Sequence, residues 1–537
     1  MAVLREGGNA VDAAVATALA LAVVYPEAGN LGGGGFAVVR MHGEVRALDF
    51  REVAPAAASR DMYLDAQGRL RPGASRTGPL AAGVPGSPSG LYELHRALGR
   101  LPWARVVAPA AGLARDGFEI DEHLRLLLAR EPAHGLLQQF PESAAVWLPG
   151  GRVRQPRLAA TLEAYGREGP AAILEGPAAA AVEAASRLHG GVLTAADLAA
   201  YRPAWREPVR FSAFGWELAT MPLPSAGGIL LGQAFAMLQG LGWAELPRAG
   251  ADRAHLLAEV FRRGFADRIL LGDPARSRAT PAELLDPRWI ALRVAGIDRG
   301  RATPSTALAP WPAGLTAAAA AASGRHGADT THLSTADAEG NAVALTTTLN
   351  GLFGCGLYVP ELGFLNNEMD DFATAVAQAP AAGGTPPQQG EANAVAPGRR
   401  MLSSMTPTIA WRGDELIALG GRGSLRIPTH TAQVLLNLLV DHDGLQAAVS
   451  LPRLHQQAFP DHLEVEPGAL PEAAARELER RGHHLVPPGA GETARVNAVR
   501  CTAAGRCEAA IDPRGTLTPE APEPLRSAGG TRSVTQH

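Results

Sequence analysis

An α+β fold is what the 537-residue sequence predicts, on three observations. Apolar residues recur at helical spacing through most of 87–300, a glycine-rich stretch at 29–52 feeds a hairpin pattern, and a second hairpin pattern fills 330–350. Taken in chain order, the first element is "AVDAAVATALALAVVYP" (10–26), the longest apolar run. It contains Asp12 and falls short of the roughly 20 residues a membrane span needs, so it reads as a buried helix. Gly32 to Gly35 then precede an apolar run, a His42-Gly43 turn and a second run. No Gly-Lys-Ser/Thr and no dinucleotide fingerprint accompany these glycines, so close backbone packing is their expected use rather than phosphate binding. Within 87–300, read as mostly helical scaffold, Thr194 with Asp197 three residues later marks a helix start at "LTAADLAAY". Segment 302–328 is rich in Ala, Pro, Gly, Ser and Thr and is read as a mobile connection. After it, 330–350 alternates, turns at "DAEGN" (337–341) and alternates again. Antiparallel partners sum to a constant, so a turn centred near Glu339 sets residues 347–349 beside Thr330, with Thr348 as its candidate neighbour.

Bulk properties narrow the function classes. Length alone suggests about two to four domains. With 46% hydrophobic and 19% charged residues and a net charge of −4, the chain reads as soluble and globular, without electrostatic demand for nucleic acid or anionic membrane. Cys355, Cys501 and Cys507 are too few for a disulfide framework and lack zinc-ligand spacing. The start, "MAVLREGGNAVDAA", has no basic region, apolar region or cleavage site of an export signal before it. That leaves two readings open, no export signal or an absent upstream segment.

The chemistry centres on "GADTTHLS" (327–334). A linker ending in Asp329-Thr330 at the first residue of a strand suits a self-cleaving precursor. The Thr330 hydroxyl attacks the preceding carbonyl, the resulting ester is hydrolysed, and Thr330 becomes a new N-terminus. Its α-amine, with a pKa of about 7.7–8.0, is then placed to serve as general base for its own hydroxyl. Against this stands the ordinary preference of threonine for strands. Three further stretches have equally plain explanations when taken singly. "LNNEMDDF" (365–372) reads as a solvated acidic turn, "MLSSMTPT" (401–408) as a helix cap and "LGGRGSLRIP" (419–428) as a glycine bend.

Together with "GGNAVDAAVA" (7–16), "GNLGGGGF" (29–36) and "LDFREVAP" (48–55), these stretches occur in the order found in the gamma-glutamyltransferase (gamma-glutamyl transpeptidase, glutathione hydrolase) family, which the chain resembles over nearly its whole length. The resemblance implies a four-layer αββα sandwich of the N-terminal-nucleophile hydrolase type. It also implies a zymogen that cuts itself between Asp329 and Thr330 into subunits of 329 and 208 residues, one intertwined domain in all. Thr330 matches the nucleophile and Thr348 the threonine that supports it. Arg51 matches the arginine that holds the substrate α-carboxylate, for which its fork of donors is suited. Asn350, Glu368 and Asp371 match the groups that hold the α-ammonium, and Ser403 and Ser404 complete the carboxylate side. Gly423 and Ser424 occupy the place of two glycines whose N–H groups form the oxyanion hole.

On this resemblance the expected donor is glutathione or another γ-glutamyl compound. The acceptor is water, an amino acid or a peptide, with no cofactor and no metal. Family members are typically periplasmic or secreted, which would apply here if an upstream segment exists. Two departures stand out. A serine at 424 supports the oxyanion hole unless that position needs positive φ. The span 373–400 has the length of the lid seen in some members but no aromatic residue to close it. His332, two residues after the nucleophile, is read as structural, because the α-amine already supplies the base. The tail after Arg514, 515–537, is read as poorly ordered. Two other functions remain in view. One is an acylase of the same superfamily acting on glutaryl-type β-lactam side chains, which would have no ammonium for Glu368 and Asp371 to hold. The other is an unprocessed, non-catalytic relative that binds amino-acid-like ligands.

Overall fold

A computed structural model describes residues 1–308, 329–372, 391–489, 494–502 and 506–514. Most of the predicted linker (309–328), most of the predicted lid (373–390) and the predicted tail (515–537) lie outside the described residues.

Two antiparallel sheets face each other. The first runs in the order Ala204–Arg206, Glu44–Phe50, Gly34–Met41, Ala342–Asn350, Asp329–Ala336. The second runs in the order Cys507–Ala510, Arg495–Cys501, Glu415–Arg422, Thr408–Arg412, Trp216–Thr220, Val209–Ala213. Side chains alternate across each strand, and the burial follows that period. Phe36 and Val38 point between the sheets, against Ile409, Leu416, Ala418 and Val499. Their neighbours Ala37 and Val39 point outward into a helical layer that includes Val11, Val15 and Leu19. In the second sheet Ile417, Leu419, Val496 and Ala498 face outward, against Leu231, Phe235, Leu238 and Leu435. Helix, sheet, sheet, helix is therefore the order of layers.

Both sheets draw strands from either side of the Asp329–Thr330 bond. The outer helix Ala10–Val24 packs on the strands that flank the 337–341 turn. It begins at Asn9, whose side chain accepts from Val11 N and Asp12 N, with Asp12 reaching back to Asn9 N as in a capping box. The helix predicted from Thr194 also forms, Ala195–Ala200, with Thr194 and Asp197 in the same reciprocal arrangement.

The glycines at 32–35 prove to be sites of close approach. A Cβ on Gly33 would lie 2.2 Å from the Thr348 carbonyl oxygen, and one on Gly35 would lie 2.3 Å from that of Thr346. No side chain fits between this strand and the one that supports Thr330.

Two expectations need correction. The stretch 87–300 is not scaffold alone, since three short strands at Ala204–Arg206, Val209–Ala213 and Trp216–Thr220 extend both sheets. They escape periodicity analysis because they run for only 3, 5 and 5 residues. The connection expected from 302 is anchored over its first residues, where Ala302 N donates to Arg481 O at 2.7 Å and Ser305 begins a 3₁₀ turn. The low cysteine count, which excludes a disulfide framework, leaves room for one bridge, Cys501–Cys507. These residues are directly opposed on adjacent strands, a juxtaposition that counting cysteines does not reveal.

Candidate active site

The Asp329–Ala336 and Ala342–Asn350 strands pair with Thr330 opposite Thr348. That is the register expected from a turn centred near Glu339. At the Asp329/Thr330 step the register shifts, so Asp329 faces Asn350 and the ladder is irregular at the predicted scissile bond. Thr330 is buried, and its Oγ1 donates to Thr348 Oγ1 at 3.2 Å. Thr348 Oγ1 also accepts from Asn350 N at 2.7 Å. Asn350 turns the chain out of the strand at φ 72°, a left-handed conformation that asparagine tolerates better than most residues.

Nine of the ten predicted site residues line one polar cavity: Thr330, Thr348, Asn350, Arg51, Glu368, Asp371, Ser403, Ser404 and Ser424. The tenth, Gly423, adjoins it through Ser424. Arg51 follows the Glu44–Phe50 strand and is fixed at both ends. Its N–H donates to Asp49 Oδ1 at 3.0 Å, and its carbonyl accepts from Tyr201 Oη at 2.8 Å. Its Nη2 lies 2.5 Å from Asp371 Oδ2 and 2.7 Å from Glu368 Oε2. Burial is the largest influence on this guanidinium and lowers its proton affinity, but the surrounding acids outweigh it and hold the pKa above the usual arginine value. Burial likewise drives Glu368 well above the carboxylate range, opposed by Arg51.

The resemblance assigns Arg51 to a ligand's α-carboxylate and the two acids to the α-ammonium on the same carbon. In the structure they form one direct ion cluster.

Gly423 and Ser424 lie just before the Arg426–Leu439 helix, separated from it by Leu425, and the first N–H groups of the helix donate to the carbonyls of these two residues. A helix N-terminus concentrates partial positive charge, which suits a developing oxyanion. Gly423 has φ 130°, and a Cβ there would lie 2.5 Å from Ala494 Cβ. Ser424 has φ 54°, so the condition that makes serine costly at this position is met. Replacing Ser424 by glycine is expected to stabilise the protein by about 1 kcal/mol while leaving the backbone N–H in place. Denaturant titration checks this by a later midpoint, and turnover is expected to stay within about threefold because the donor is unchanged.

His332 shares the inner face with Thr330 but makes a self-contained set of contacts. Its ring nitrogens meet Thr346 Oγ1 at 2.7 Å and Ser334 Oγ at 2.9 Å. Burial depresses its pKa to about 3, so it is neutral wherever the enzyme would work. A Cβ on Gly420 would stand 2.5 Å from its Cε1, so the imidazole serves as packing between the sheets.

Two charged residues at or beside the cavity are not reached by the sequence analysis. Arg268 lines the same cavity. Its only signal was a charge embedded in the apolar run "GFADRILLG" (264–272). Glu52, beside Arg51 in the "DFRE" motif, is fully buried with its Oε2 3.7 Å from Arg51 Nη1, and burial lifts its pKa to about 7. Among the described residues, no group of three or more His, Cys, Asp or Glu is placed to hold a metal ion. No helix among them is long and apolar enough to cross a membrane.

Two facing sheets between helical layers, with a threonine hydroxyl poised at the first residues of an edge strand, define an N-terminal-nucleophile hydrolase. The family model described as gamma-glutamyltranspeptidase matches residues 1–520, and the chain belongs to that family. It is 40% identical over 523 residues to a glutathione hydrolase proenzyme of Pseudomonas aeruginosa, covering 96% of this chain and 90% of the relative. It is also 36% identical to the acylase ACY 1 proenzyme of Pseudomonas sp. (strain SE83), covering 96% and 88%. Among solved structures it resembles cephalosporin acylase from Bacillus halodurans with a TM-score of 0.80 at 26% identity, covering 96% of this chain and 91% of that one.

Proposed function

We propose that the chain matures by scission of the Asp329–Thr330 bond and then acts as a γ-glutamyl hydrolase and transferase on glutathione or related γ-glutamyl amides. In maturation the Thr330 hydroxyl attacks the Asp329 carbonyl carbon, the amide becomes an ester, and water releases the two subunits. In turnover the same hydroxyl, its proton taken by the new α-amine, attacks the γ-carbonyl carbon of the donor. The oxyanion is met by the N–H groups at Gly423 and Ser424. The C–N bond breaks, the leaving amine takes the proton, and a γ-glutamyl ester of Thr330 remains. Water then yields glutamate, or an amino acid or peptide yields a new γ-glutamyl product.

The observation that carries this reading over a glutaryl acylase is the pair of acids beside Arg51, at 2.7 Å for Glu368 and 2.5 Å for Asp371. A ligand with both α-carboxylate and α-ammonium replaces the direct ion cluster with two matched pairs. A glutaryl group can replace only the arginine side, and it leaves Glu368, which is buried, and Asp371, which is partly so, without their contact to Arg51.

The test compares L-γ-glutamyl-p-nitroanilide with glutaryl-p-nitroanilide on the matured protein. A kcat/KM at least ~100-fold higher for the γ-glutamyl anilide is expected, because a site built for a charged hydrogen-bonding group rejects analogues that lack it. Equal turnover of the two, or preference for the glutaryl anilide, makes the protein an acylase instead.

A further inference from the structure

The cavity contains a second guanidinium to which the γ-glutamyl reading assigns no task. Arg268 directly follows the Ala251–Asp267 helix, is 3% exposed, and lines the cavity that holds Thr330 and Arg51. Its Nη2 donates to Ser404 Oγ at 3.3 Å. The residue before it is firmly held: Asp267 accepts from Gln233 Nε2 and Trp289 Nε1, each at 3.0 Å, and pairs with Arg293. Arg268 therefore reaches the site from a fixed helix end, the kind of support that keeps a binding group in place. Burial lowers its pKa to about 10, with Asp371 opposing, and it remains a cation at neutral pH.

The contacts Arg51 already makes show what a second cation offers here. Its Nη2 is engaged by both Glu368 and Asp371, so a donor's α-carboxylate has to compete with these acids for the guanidinium. Arg268 places a second cation on the Ser404 side of the cavity, where it also donates to a hydroxyl oxygen. A buried cation at hydrogen-bond distance from a serine favours the rotamer in which the oxygen faces the cation and the proton is free to point to an anion.

We propose that Arg268 is a positioning residue that sets specificity: acting through Ser404, it selects donors that carry an α-carboxylate. This rests on the γ-glutamyl reading above and goes beyond it by adding a determinant from the segment before Asp329.

The experiment uses the matured protein and its Arg268→Gln and Arg268→Lys variants. Two donors are compared: L-γ-glutamyl-p-nitroanilide, and 4-aminobutyryl-p-nitroanilide, which keeps the ammonium and the scissile amide but lacks the α-carboxylate. For Arg268→Gln, kcat/KM on the γ-glutamyl anilide is expected to fall roughly 10-fold or more, mainly through KM. On the 4-aminobutyryl anilide it should change by less than about threefold, because the lost interaction has no counterpart there. Arg268→Lys is expected to recover part of the KM effect, since it keeps the charge without the fork. Equal losses on both donors overturn the proposal, as does arrest of maturation in both variants, for then the guanidinium serves the fold. If the wild type itself fails to turn over the γ-glutamyl anilide, the underlying reading falls first. Wild-type turnover with a uniform loss in the variants removes only the role of Arg268.

Discussion

Thr330→Ala is expected to leave the protein as one chain of 537 residues with no measurable γ-glutamyl turnover, while the wild type resolves into pieces of 329 and 208 residues by intact mass. The size of the effect follows from the double use of one residue. In the proposed scheme the same hydroxyl attacks first its own backbone and then the donor, and the base in the second reaction is the amine that the first reaction frees. No neighbour can substitute. Thr348 Oγ1 stands 3.2 Å from Thr330 Oγ1 but sits in the middle of the chain and acquires no α-amine. His332 is held neutral by burial and is occupied by two hydroxyls. Thr330→Ser is the informative companion, since it keeps the hydroxyl and should still mature. A wild-type protein that stays whole, or an alanine variant that still splits after Asp329, would sink the self-processing scheme.

Arg51→Met carries the second largest effect. A loss of roughly 10³-fold or more in kcat/KM is expected, since the change removes the proposed anchor of the α-carboxylate and takes from Glu368 and Asp371 the cation they both contact. Breaking a buried ion cluster by deleting one partner typically costs about 3–5 kcal/mol, so a lower denaturation midpoint should accompany the loss. Protonation of Glu368 will absorb part of that cost, because burial already holds its pKa above the carboxylate range. Steady-state assays on the γ-glutamyl anilide, with maturation checked by mass, separate the two effects. An Arg51→Met protein that matures and keeps wild-type KM would show that the carboxylate is held elsewhere.

Much of the site could be read from the sequence because its residues lie in short, dense stretches whose local geometry is self-determined. The Thr330–Thr348 pairing is an example. A five-residue turn between two alternating runs fixes the register, and the register fixes the neighbour. Arg51, Glu368 and Ser403 could be named by resemblance, but their meeting depends on the packing of two sheets, which no local pattern encodes. Arg268 shows the limit most plainly. On paper it is one more arginine in an apolar helix end, and only the tertiary structure brings Ser404 to it, 136 positions further along the chain. The three short strands at 204–220 failed for a related reason: they are completed by partners from elsewhere and have little periodicity of their own.

The sharing of both sheets across the Asp329–Thr330 bond has a consequence for how such a molecule is made and lost. Before the proposed cut, the two halves meet at the high effective concentration that a continuous chain provides. After it, a molecule that unfolds would have to find its other half by diffusion, and its recovery would depend on protein concentration. The proposed scission would thus work as a ratchet: assembly would belong to the precursor, catalysis to the product, and a mature molecule once opened would have no unimolecular way back.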